Sequence, residues 1–328
     1  MDCEFEHKIF TAGEKGFTAL ALETFHFQYR HNAVYKAFVD AIHTDIAAIQ
    51  LVELIPFLPI SFFKSQTVIV GDFVPEVIFE SSGTTTSINS RHQVKKLAIY
   101  LESFRKGFER DYGKVEDYCI LGLLPSYLER QHSSLVMMVD QLIKDSKHSQ
   151  SGFYLYEHEK LADTLKELEA KQQPTLLIGV TFGLLDFAEN FHIPLKHTLI
   201  METGGMKGRR EELTRFQVHE ILKASFGVDK IHSEYGMTEL LSQAYSKGDG
   251  LFECPPWMKI LVREEDDPFS VSSQSSSRGV INVIDLANIY SCSFIATDDA
   301  GRLHDNSMFE VLGRVDNSDV RGCSLMVM

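Results

Sequence analysis

Apolar positions in the first part of the chain recur at helical spacing. Up to about residue 55 they follow steps of three and four, which predicts helices that bury one face. The residues that mark this face are Phe27, Val34, Phe38, Ile42, Ile46 and Ile49. Pro56 and Pro59 end the pattern.

Continuous apolar runs alternate with helical stretches from about residue 75 to residue 245. The runs lie at 77–79, 118–121, 176–180 and 198–202. Runs of this kind predict strands that are buried on both faces. Helical patterns follow at about 93–113, 161–168 and 211–225. Because parallel strands are joined by helical crossovers, this alternation predicts an α/β fold with mainly parallel sheets.

The pattern changes after about residue 245, where short apolar runs are separated by turn residues. These runs lie at 258–262, 279–284, 294–296 and 308–312. Their spacing predicts a small antiparallel or barrel-like β unit. The expected division is an α/β core over 1–245, a small β subdomain over 246–312 and a C-terminal tail over 313–328.

Composition narrows the classes of function. The 328 residues carry a net charge of −14 with no long basic run, which argues against a general nucleic-acid or anionic-membrane surface. No segment approaches the ~18 consecutive apolar residues of a membrane span. The five cysteines form no Cys-x-x-Cys pair, and the acidic N-terminus lacks a signal-peptide core. We therefore expect a cytoplasmic protein with reduced thiols.

A run of small, hydroxyl-rich residues follows the apolar run at 77–79. It consists of Ser81, Ser82, Gly83, Thr84, Thr85 and Thr86. Between a strand and a helix, backbone N–H groups and hydroxyls of such a turn can bind an anion with several oxygens. The run is not a Walker A sequence, because no Gly-Lys-Ser/Thr ends it. Taken alone, it is equally well interpreted as a serine-rich surface loop.

Three further segments carry groups that suit a magnesium nucleotide. Thr203-Gly204-Gly205-Met206 is a turn whose missing side chains let a flat ring lie on the backbone. The segment 235–239, Tyr-Gly-Met-Thr-Glu, offers an aromatic face, a hydroxyl and a carboxylate. A carboxylate beside a polyphosphate requires a hard cation such as Mg²⁺. In the segment 297–302, an Asp can accept hydrogen bonds from both ribose hydroxyls, although Asp-Asp-Ala-Gly is also a common turn sequence.

The order of these segments resembles the adenylate-forming superfamily of acyl-CoA synthetases, peptide-synthetase adenylation domains and luciferases. The run at 81–86 resembles its Ser-Gly-Thr-Thr phosphate loop, and 235–239 matches its Tyr-Gly-Met-Thr-Glu motif residue for residue. Thr297-Asp298-Asp299 resembles its Thr-Gly-Asp, with an aspartate in place of the glycine. The segment 313–316 and the Arg-Gly at 321–322 resemble its hinge region. The resemblance covers the chain from about residue 75 onward.

Two departures point to one branch of that superfamily. The lysine that usually ends the phosphate loop is replaced by Arg91 and His92 after a longer polar run. Ordinary members also continue past the hinge into a mobile lid with a catalytic lysine, whereas this sequence ends at residue 328, soon after the hinge-like segment. The chain therefore resembles most the acyl-protein synthetase (LuxE) branch, which activates fatty acids for bacterial luminescence and carries an acylated cysteine near its C-terminus. Cys323 stands where that cysteine is expected, and 124–130 also resembles this branch.

The resemblance implies two stacked α/β subdomains with mainly parallel sheets, plus a small β-barrel-like unit, with the mobile lid largely missing. It gives Thr238 a contact to the α-phosphate and Glu239 the Mg²⁺, and it makes Asp299 the ribose ligand. The residues implied for the rest of ATP binding are Ser81, Ser82, Gly83, Thr84, Thr85, Thr86, Gly204, Gly205, Tyr235, Gly236 and Arg314.

The function that the resemblance implies is a two-step acyl transfer. A carboxylic acid, expected to be a fatty acid, is first activated with ATP to an acyl-adenylate, and Cys323 then takes the acyl group. An acyl-reductase is the expected partner protein. Two alternatives stay open: transfer to coenzyme A or a carrier-protein thiol, and a non-catalytic subunit that binds nucleotide.

Overall fold

The computed structural model describes residues 2–81, 89–125, 132–204 and 213–315. The α-helices in these ranges are α1 Asp2–Thr11, α2 Gly13–His31, α3 Ala33–Ala41, α4 Phe62–Ser65, α5 Leu97–Tyr112, α6 Ser134–Ser146, α7 His158–Ala170, α8 Thr181–Asn190 and α9 Arg215–Phe226. Ser133 caps α6 by accepting a hydrogen bond from the backbone of Val136. Gly113 ends α5 at φ 87°, which glycine adopts without a steric penalty. None of the helices in the described ranges is long and apolar enough to span a bilayer.

The strands alternate with these helices and then follow one another. They are β1 Leu58–Pro59, β2 Val77–Glu80, β3 Arg91–Val94, β4 Cys119–Leu123, β5 Gly152–Phe153, β6 Thr175–Val180, β7 Thr198–Thr203, β8 His232–Tyr235, β9 Ala244–Ser246, β10 Leu251–Glu253, β11 Met258–Arg263, β12 Val271–Ser272, β13 Arg278–Asp285, β14 Phe294–Leu303 and β15 Met308–Arg314.

One large sheet contains these strands except β2 and β3. Its order is β12-β11-β13-β14-β15-β10-β9-β8-β7-β6-β4-β5, with β1 beside β14. Strands β4 to β8 pair in parallel, and β8 to β15 pair in antiparallel fashion. The fold is therefore α/β, as the sequence predicts. Strands β9 and β10 continue the sheet from β8 across residue 245, so the sheet itself does not mark a boundary there. The division near residue 245 stays a prediction.

Helices cover both faces of the parallel part of the sheet. Ile120 and Leu176 pack in one apolar core with residues of α5 and α6. Their neighbours Leu121 and Leu177 pack in a second core with residues of α7, α8 and α9. Because successive side chains of a strand point to opposite faces, strands buried between two helical layers are continuously apolar. This arrangement explains the unbroken apolar runs at 118–121 and 176–180.

The predicted stripe of the first helices forms only part of their buried surface: Phe27, Val34, Phe38 and Ile46 are partly buried against the core, and Ile49 is buried. The fully buried face of α2 includes Phe25 and Gln28, whereas Phe27 is half-buried. The chain leaves helical geometry at Asn32, whose side chain accepts from the backbone of Tyr35 and begins α3. A single helical period therefore does not run through both helices.

The expected start of a helix at Gln93 is wrong. Residues 91–94 form β3, which pairs antiparallel with β2, so that Val77 lies opposite Val94. The hydroxyl-rich run therefore joins two strands of a hairpin, and α5 begins only at Leu97. Asp-Asp-Ala-Gly at 298–301, for which a turn is the alternative interpretation, is part of strand β14, which pairs with β13 and β15 here with local register shifts.

Candidate active site

Tyr235 ends β8 and lies at the centre of the candidate site. Its ring packs edge-on against Phe252 and Phe309, with ring centroids 6.0 and 5.5 Å away. Its hydroxyl donates a hydrogen bond of 2.9 Å to Oδ2 of Asp299. The first residue of the Tyr-Gly-Met-Thr-Glu motif is therefore fixed to the strand that carries the Thr-Asp-Asp segment.

Asp299 joins Tyr235 to the last described strand. The Nε atom of Arg314 in β15 lies 3.5 Å from Oδ1 of Asp299. Burial raises the pKa of this carboxyl, while Tyr235 and Arg314 favour its ionised form. Asp298, which replaces the expected glycine, does not have a positive φ, so an aspartate fits there without strain. Three predicted residues from three strands are thus in contact.

Glu239 lies close to the base of the hydroxyl-rich run. Its side chain is buried, and burial raises its pKa; a hydrogen bond with Ser90 and the charges of Arg314 and Lys64 act in the opposite direction. The Ser90 backbone N–H donates to Oγ of Ser81 at 2.9 Å, and the Ser81 N–H donates to the Ser90 carbonyl at 3.1 Å. This pair closes the base of the loop, so the loop begins and ends beside Glu239.

Two buried polar side chains hold the Thr238–Glu239 backbone. Nδ1 of His92 lies 2.9 Å from the Thr238 carbonyl, and Nδ2 of Asn288 donates to the Glu239 carbonyl at 2.7 Å. Because a carbonyl oxygen only accepts, Nδ1 of His92 carries the proton. Burial lowers the pKa of His92 to about 4, so its ring is neutral at physiological pH. We call His92 and Asn288 the carbonyl clamp.

A buried aspartate anchors the residues that follow the motif. Asp285 accepts hydrogen bonds from the backbones of Leu241 and Ser242 at 2.8 and 3.0 Å, and from the Ser242 hydroxyl at 2.6 Å. The sequence does not indicate Asp285 or Asn288, because both lie in a segment without a motif. The sequence singles out His92, because it follows the hydroxyl-rich run, but it does not indicate the contact of His92 with the Thr238 carbonyl.

The glycine positions lie at the same edge of the sheet. Gly204 follows β7 with φ 72°, and its carbonyl accepts from the Thr181 hydroxyl at 2.6 Å. Since Thr203 is paired with Glu234, Gly204 lies beside Tyr235, where Gly236 is exposed. The remaining predicted site residues lie outside the described ranges. They are Ser82, Gly83, Thr84, Thr85, Thr86, Gly205 and Cys323.

Glu239 is suited to bind a magnesium ion together with the phosphates of a nucleotide, rather than as part of a site made of protein ligands alone. Within 2–81, 89–125, 132–204 and 213–315, no three His, Cys, Asp or Glu side chains are grouped so as to bind a metal. Mg²⁺ commonly uses one or two carboxylates together with phosphate oxygens of a substrate. A buried carboxylate such as Glu239 gains from a cation, because the ion offsets the cost of burying its charge.

Cys119, Cys254 and Cys292 are poor nucleophiles. Burial raises the pKa of Cys119 to about 11 and that of Cys292 to about 12, and it also raises the pKa of Cys254. A thiol reacts as its thiolate, so a raised pKa lowers its reactivity near neutral pH.

Comparisons with known structures show the fold. The structure is similar to ATP-bound MatB from Rhodopseudomonas palustris, with a TM-score of 0.53 and 17% identity over 75% of this chain and 49% of that chain. It is also similar to a malonyl-CoA ligase with methylmalonyl-CoA and AMP bound, with a TM-score of 0.50 and 16% identity over 76% and 55%. A double mutant of o-succinylbenzoate CoA synthetase (MenE) from Bacillus subtilis gives 0.50 and 17% over 73% and 48%.

The chain thus spans about half the length of the solved proteins that it matches. No curated protein matches it. The family model described as acyl-protein synthetase, LuxE, matches residues 10–328. The chain has the fold of the adenylate-forming enzymes, and it belongs to the acyl-protein synthetase (LuxE) family.

Proposed function

We propose that this protein uses ATP to activate a carboxylic acid as an acyl-adenylate and then transfers the acyl group to a thiol. The observation that carries the proposal is the meeting of Tyr235, Asp299 and Arg314 at the sheet edge where Glu239 adjoins the base of the hydroxyl-rich loop. An aromatic ring, the carboxylates of Asp299 and Glu239, and a run of hydroxyl residues together suit a nucleotide polyphosphate.

In the first step, a carboxylate oxygen of the acid attacks the α-phosphorus of ATP. A new P–O bond forms, the bond to the β-phosphate oxygen breaks, and pyrophosphate leaves. The Thr238 hydroxyl donates to the α-phosphate, and Asp299 accepts from the ribose hydroxyls. The Glu239 carboxylate would hold Mg²⁺, which when bound neutralises phosphate charge. The chain contributes position and charge, because this step needs little proton transfer.

In the second step, the Cys323 thiolate attacks the acyl carbon. A C–S bond forms, the C–O bond to the phosphate breaks, and AMP leaves with the bonding electrons. Arg321, two residues away in the sequence, favours the thiolate by its positive charge. We propose a fatty acid as the substrate and an acyl-reductase as the protein that receives the thioester product.

Release of pyrophosphate tests the first step. We expect release that requires both ATP and a carboxylic acid from a panel of chain lengths. Glu239→Gln should lower kcat by about 100-fold or more, since it removes the charge that holds the cation. Glu220→Gln is the matched control, because Glu220 is an exposed residue of α9 paired with Lys223. No release with any acid would contradict adenylation and favour a non-catalytic nucleotide-binding subunit.

Intact mass after incubation with ATP and the acid tests the acceptor. We expect a mass increase of one acyl group that hydroxylamine removes and that Cys323→Ser abolishes. Cys254→Ser is the control, because it removes a described thiol that burial makes unreactive. If the mass stays unchanged and acyl-CoA forms on addition of coenzyme A, the acceptor is external and Cys323 has no role in the transfer.

A further inference from the structure

Three polar side chains lie directly opposite one another across β7, β8 and β9. Thr203 is the partner of Glu234 in the parallel pair, and Glu234 is the partner of Tyr245 in the antiparallel pair. Opposed residues of neighbouring strands share one face of the sheet, so these side chains form a row. All three are buried, and the Thr203 hydroxyl donates to Oε2 of Glu234. We call Thr203, Glu234 and Tyr245 the polar row.

The polar row lacks some of the partners that buried polar groups require. Among the described residues, the Tyr245 hydroxyl has no hydrogen-bond partner although it is fully buried. No ion pair formed within the described ranges includes Glu234. Its neighbour Glu202 does have a cation, with Arg215 Nε 3.2 Å away, but Glu202 is opposite Ser233 and lies on the other face of the sheet. Buried donors and acceptors without partners are costly, and such groups are found where a ligand uses them.

The polar row begins where the proposed nucleotide site ends. Glu234 directly precedes Tyr235, and alternation along β8 sends their side chains to opposite faces. A Cβ atom added to Gly236 would lie 2.4 Å from Oε1 of Glu234, so this carboxyl lies against the glycine of the Tyr-Gly-Met-Thr-Glu motif. In the proposed function the carboxylate of the acid reaches the α-phosphate at Thr238, two residues beyond Gly236, so its chain can extend past this glycine toward Glu234.

Helix α5 encloses the other side of the polar row. A Cβ atom added to Gly107 would lie 3.8 Å from the Tyr245 ring, which shows how closely α5 approaches it. Tyr100 of the same helix is buried, and its hydroxyl already donates to the Ser134 carbonyl at 2.9 Å. The Tyr100 hydroxyl thus has a hydrogen-bond partner, whereas the Tyr245 hydroxyl has none among the described residues. A plain hydrocarbon chain in this place would leave the Tyr245 hydroxyl without a partner and the Glu234 carboxyl with Thr203 as its hydrogen-bond donor.

We propose that the acid activated by this protein carries a hydroxyl group on its chain, which the polar row binds. This inference rests on the proposed function. A hydroxyl is favoured over an ammonium group because it can donate to Oε1 of Glu234 and also accept from the Tyr245 hydroxyl. Thr203 is a positioning residue, since its hydroxyl orients the Glu234 carboxyl.

The test compares acids of equal length with and without a hydroxyl, placed at successive carbons, plus matched amino acids. The readout is kcat/KM for pyrophosphate release. We expect one hydroxyl position to raise kcat/KM about tenfold or more over the unsubstituted acid, because a site built for a hydroxyl disfavours the analogue that lacks it. Glu234→Gln and Tyr245→Phe should each lower this ratio several-fold. A higher ratio for the amino acids would contradict the choice of hydroxyl.

A thermal measurement without substrate separates this role from a structural one. Tyr245→Phe should leave Tm unchanged or raise it, because it removes a hydroxyl without a partner. Tyr154→Phe is the control: its hydroxyl donates to the Gln150 carbonyl at 2.8 Å, so its loss should lower Tm and leave the acid ratio unchanged. Equal kcat/KM for hydroxylated and unsubstituted acids would overturn this inference but not the proposed function. The same holds if Glu234→Gln and Tyr245→Phe both leave the ratio of these kcat/KM values unchanged. Absence of release with every acid would overturn the proposed function as well.

Discussion

Single residues outside the motifs fix the geometry of the candidate site. The carbonyl clamp holds two consecutive carbonyls of the Tyr-Gly-Met-Thr-Glu motif from β3 and from the segment before β14. Such contacts position the backbone that carries the Thr238 hydroxyl and the Glu239 carboxylate, which are the proposed phosphate and metal ligands. Sequence patterns reveal the motif because its residue types are specific, but they do not reveal an asparagine whose role depends on where a distant segment folds.

Removal of one member of the clamp tests this role. Asn288→Ala leaves the Glu239 carbonyl buried without its donor, which should lower the free energy of unfolding by about 1–3 kcal/mol. The kcat of pyrophosphate release should also fall, by about tenfold, as Glu239 loses its position. The control Asn190→Ala removes a bond of 2.9 Å to the Asp186 carbonyl in an exposed part of α8. Denaturant unfolding and release assays that give equal results for both variants would contradict the clamp.

The Glu234 carboxyl gives stability a specific pH dependence. Burial raises its pKa to about 7, against an ordinary value of 4.5, and the charge of Glu202 acts in the same direction. Since the folded state holds this proton more tightly than the unfolded chain, the carboxyl stabilises the fold below pH 4.5, and this contribution is lost as the pH rises through about 7.

The Glu234→Gln variant isolates this titration. Its free energy of unfolding relative to the parent should rise between pH 4.5 and about 7. Thr203, Tyr100 and Tyr245 interact with Glu234 directly or through its charge, and the charge of Glu202 acts on it from the other face of the sheet. Buried imidazoles titrate in the opposite sense but are common to both proteins, so they cancel in the difference. A difference that does not change with pH would contradict the raised pKa.

Among the secondary-structure elements, the hydrophobic pattern predicts the strands that are buried on both faces, but it does not predict the short strand β3. The strands β4, β6 and β7 and helix α7 are evident as apolar runs or helical stripes. Strand β3 was not predicted, because its alternating residues Arg91 to Val94 also fit the first turn of a helix. Pairing with β2 decides between the two, and pairing is not visible in a local pattern.

The link between the motif segment and strand β13 also belongs to this scale. Asp285 ends β13 and accepts two backbone hydrogen bonds and one hydroxyl hydrogen bond from residues 241 and 242. Asp285→Ala should lower the free energy of unfolding by about 3–5 kcal/mol, because several buried donors lose their acceptor at once. Asp305→Ala, in an exposed turn, is the control. Denaturant titration checks both, and a loss below about 1 kcal/mol for Asp285→Ala would contradict an anchoring role.

At the scale of the whole molecule, one sheet brings distant parts of the sequence to a common edge. Strand β8 contributes Tyr235, β14 contributes Asp299, and β15 contributes Arg314, although β8 and β14 are not neighbours in the sheet. The sequence predicts these residues from their order along the chain. It does not predict the hydrogen bond between Tyr235 and Asp299, which depends on how β9, β10 and β15 lie between their strands.

Binding of ATP should stabilise the folded molecule as a whole. A ligand at 100 times its Kd adds about 2.7 kcal/mol to the free energy of unfolding. We expect ATP with Mg²⁺ to raise Tm, and Asp299→Asn to reduce this rise, because the asparagine is a weaker acceptor for ribose hydroxyls. Asp163→Asn, in an exposed ion pair of α7, is the control. An equal rise in both variants would contradict the ribose contact.

Isotope exchange between ATP and pyrophosphate tests adenylation most directly, because it reports the first step whatever the acceptor is. We expect exchange that depends on both a carboxylic acid and Mg²⁺, persists in Cys323→Ser and is lost in Glu239→Gln. Exchange that is absent with every acid in a folded, nucleotide-binding protein, or that is unaffected by Glu239→Gln, would contradict this expectation.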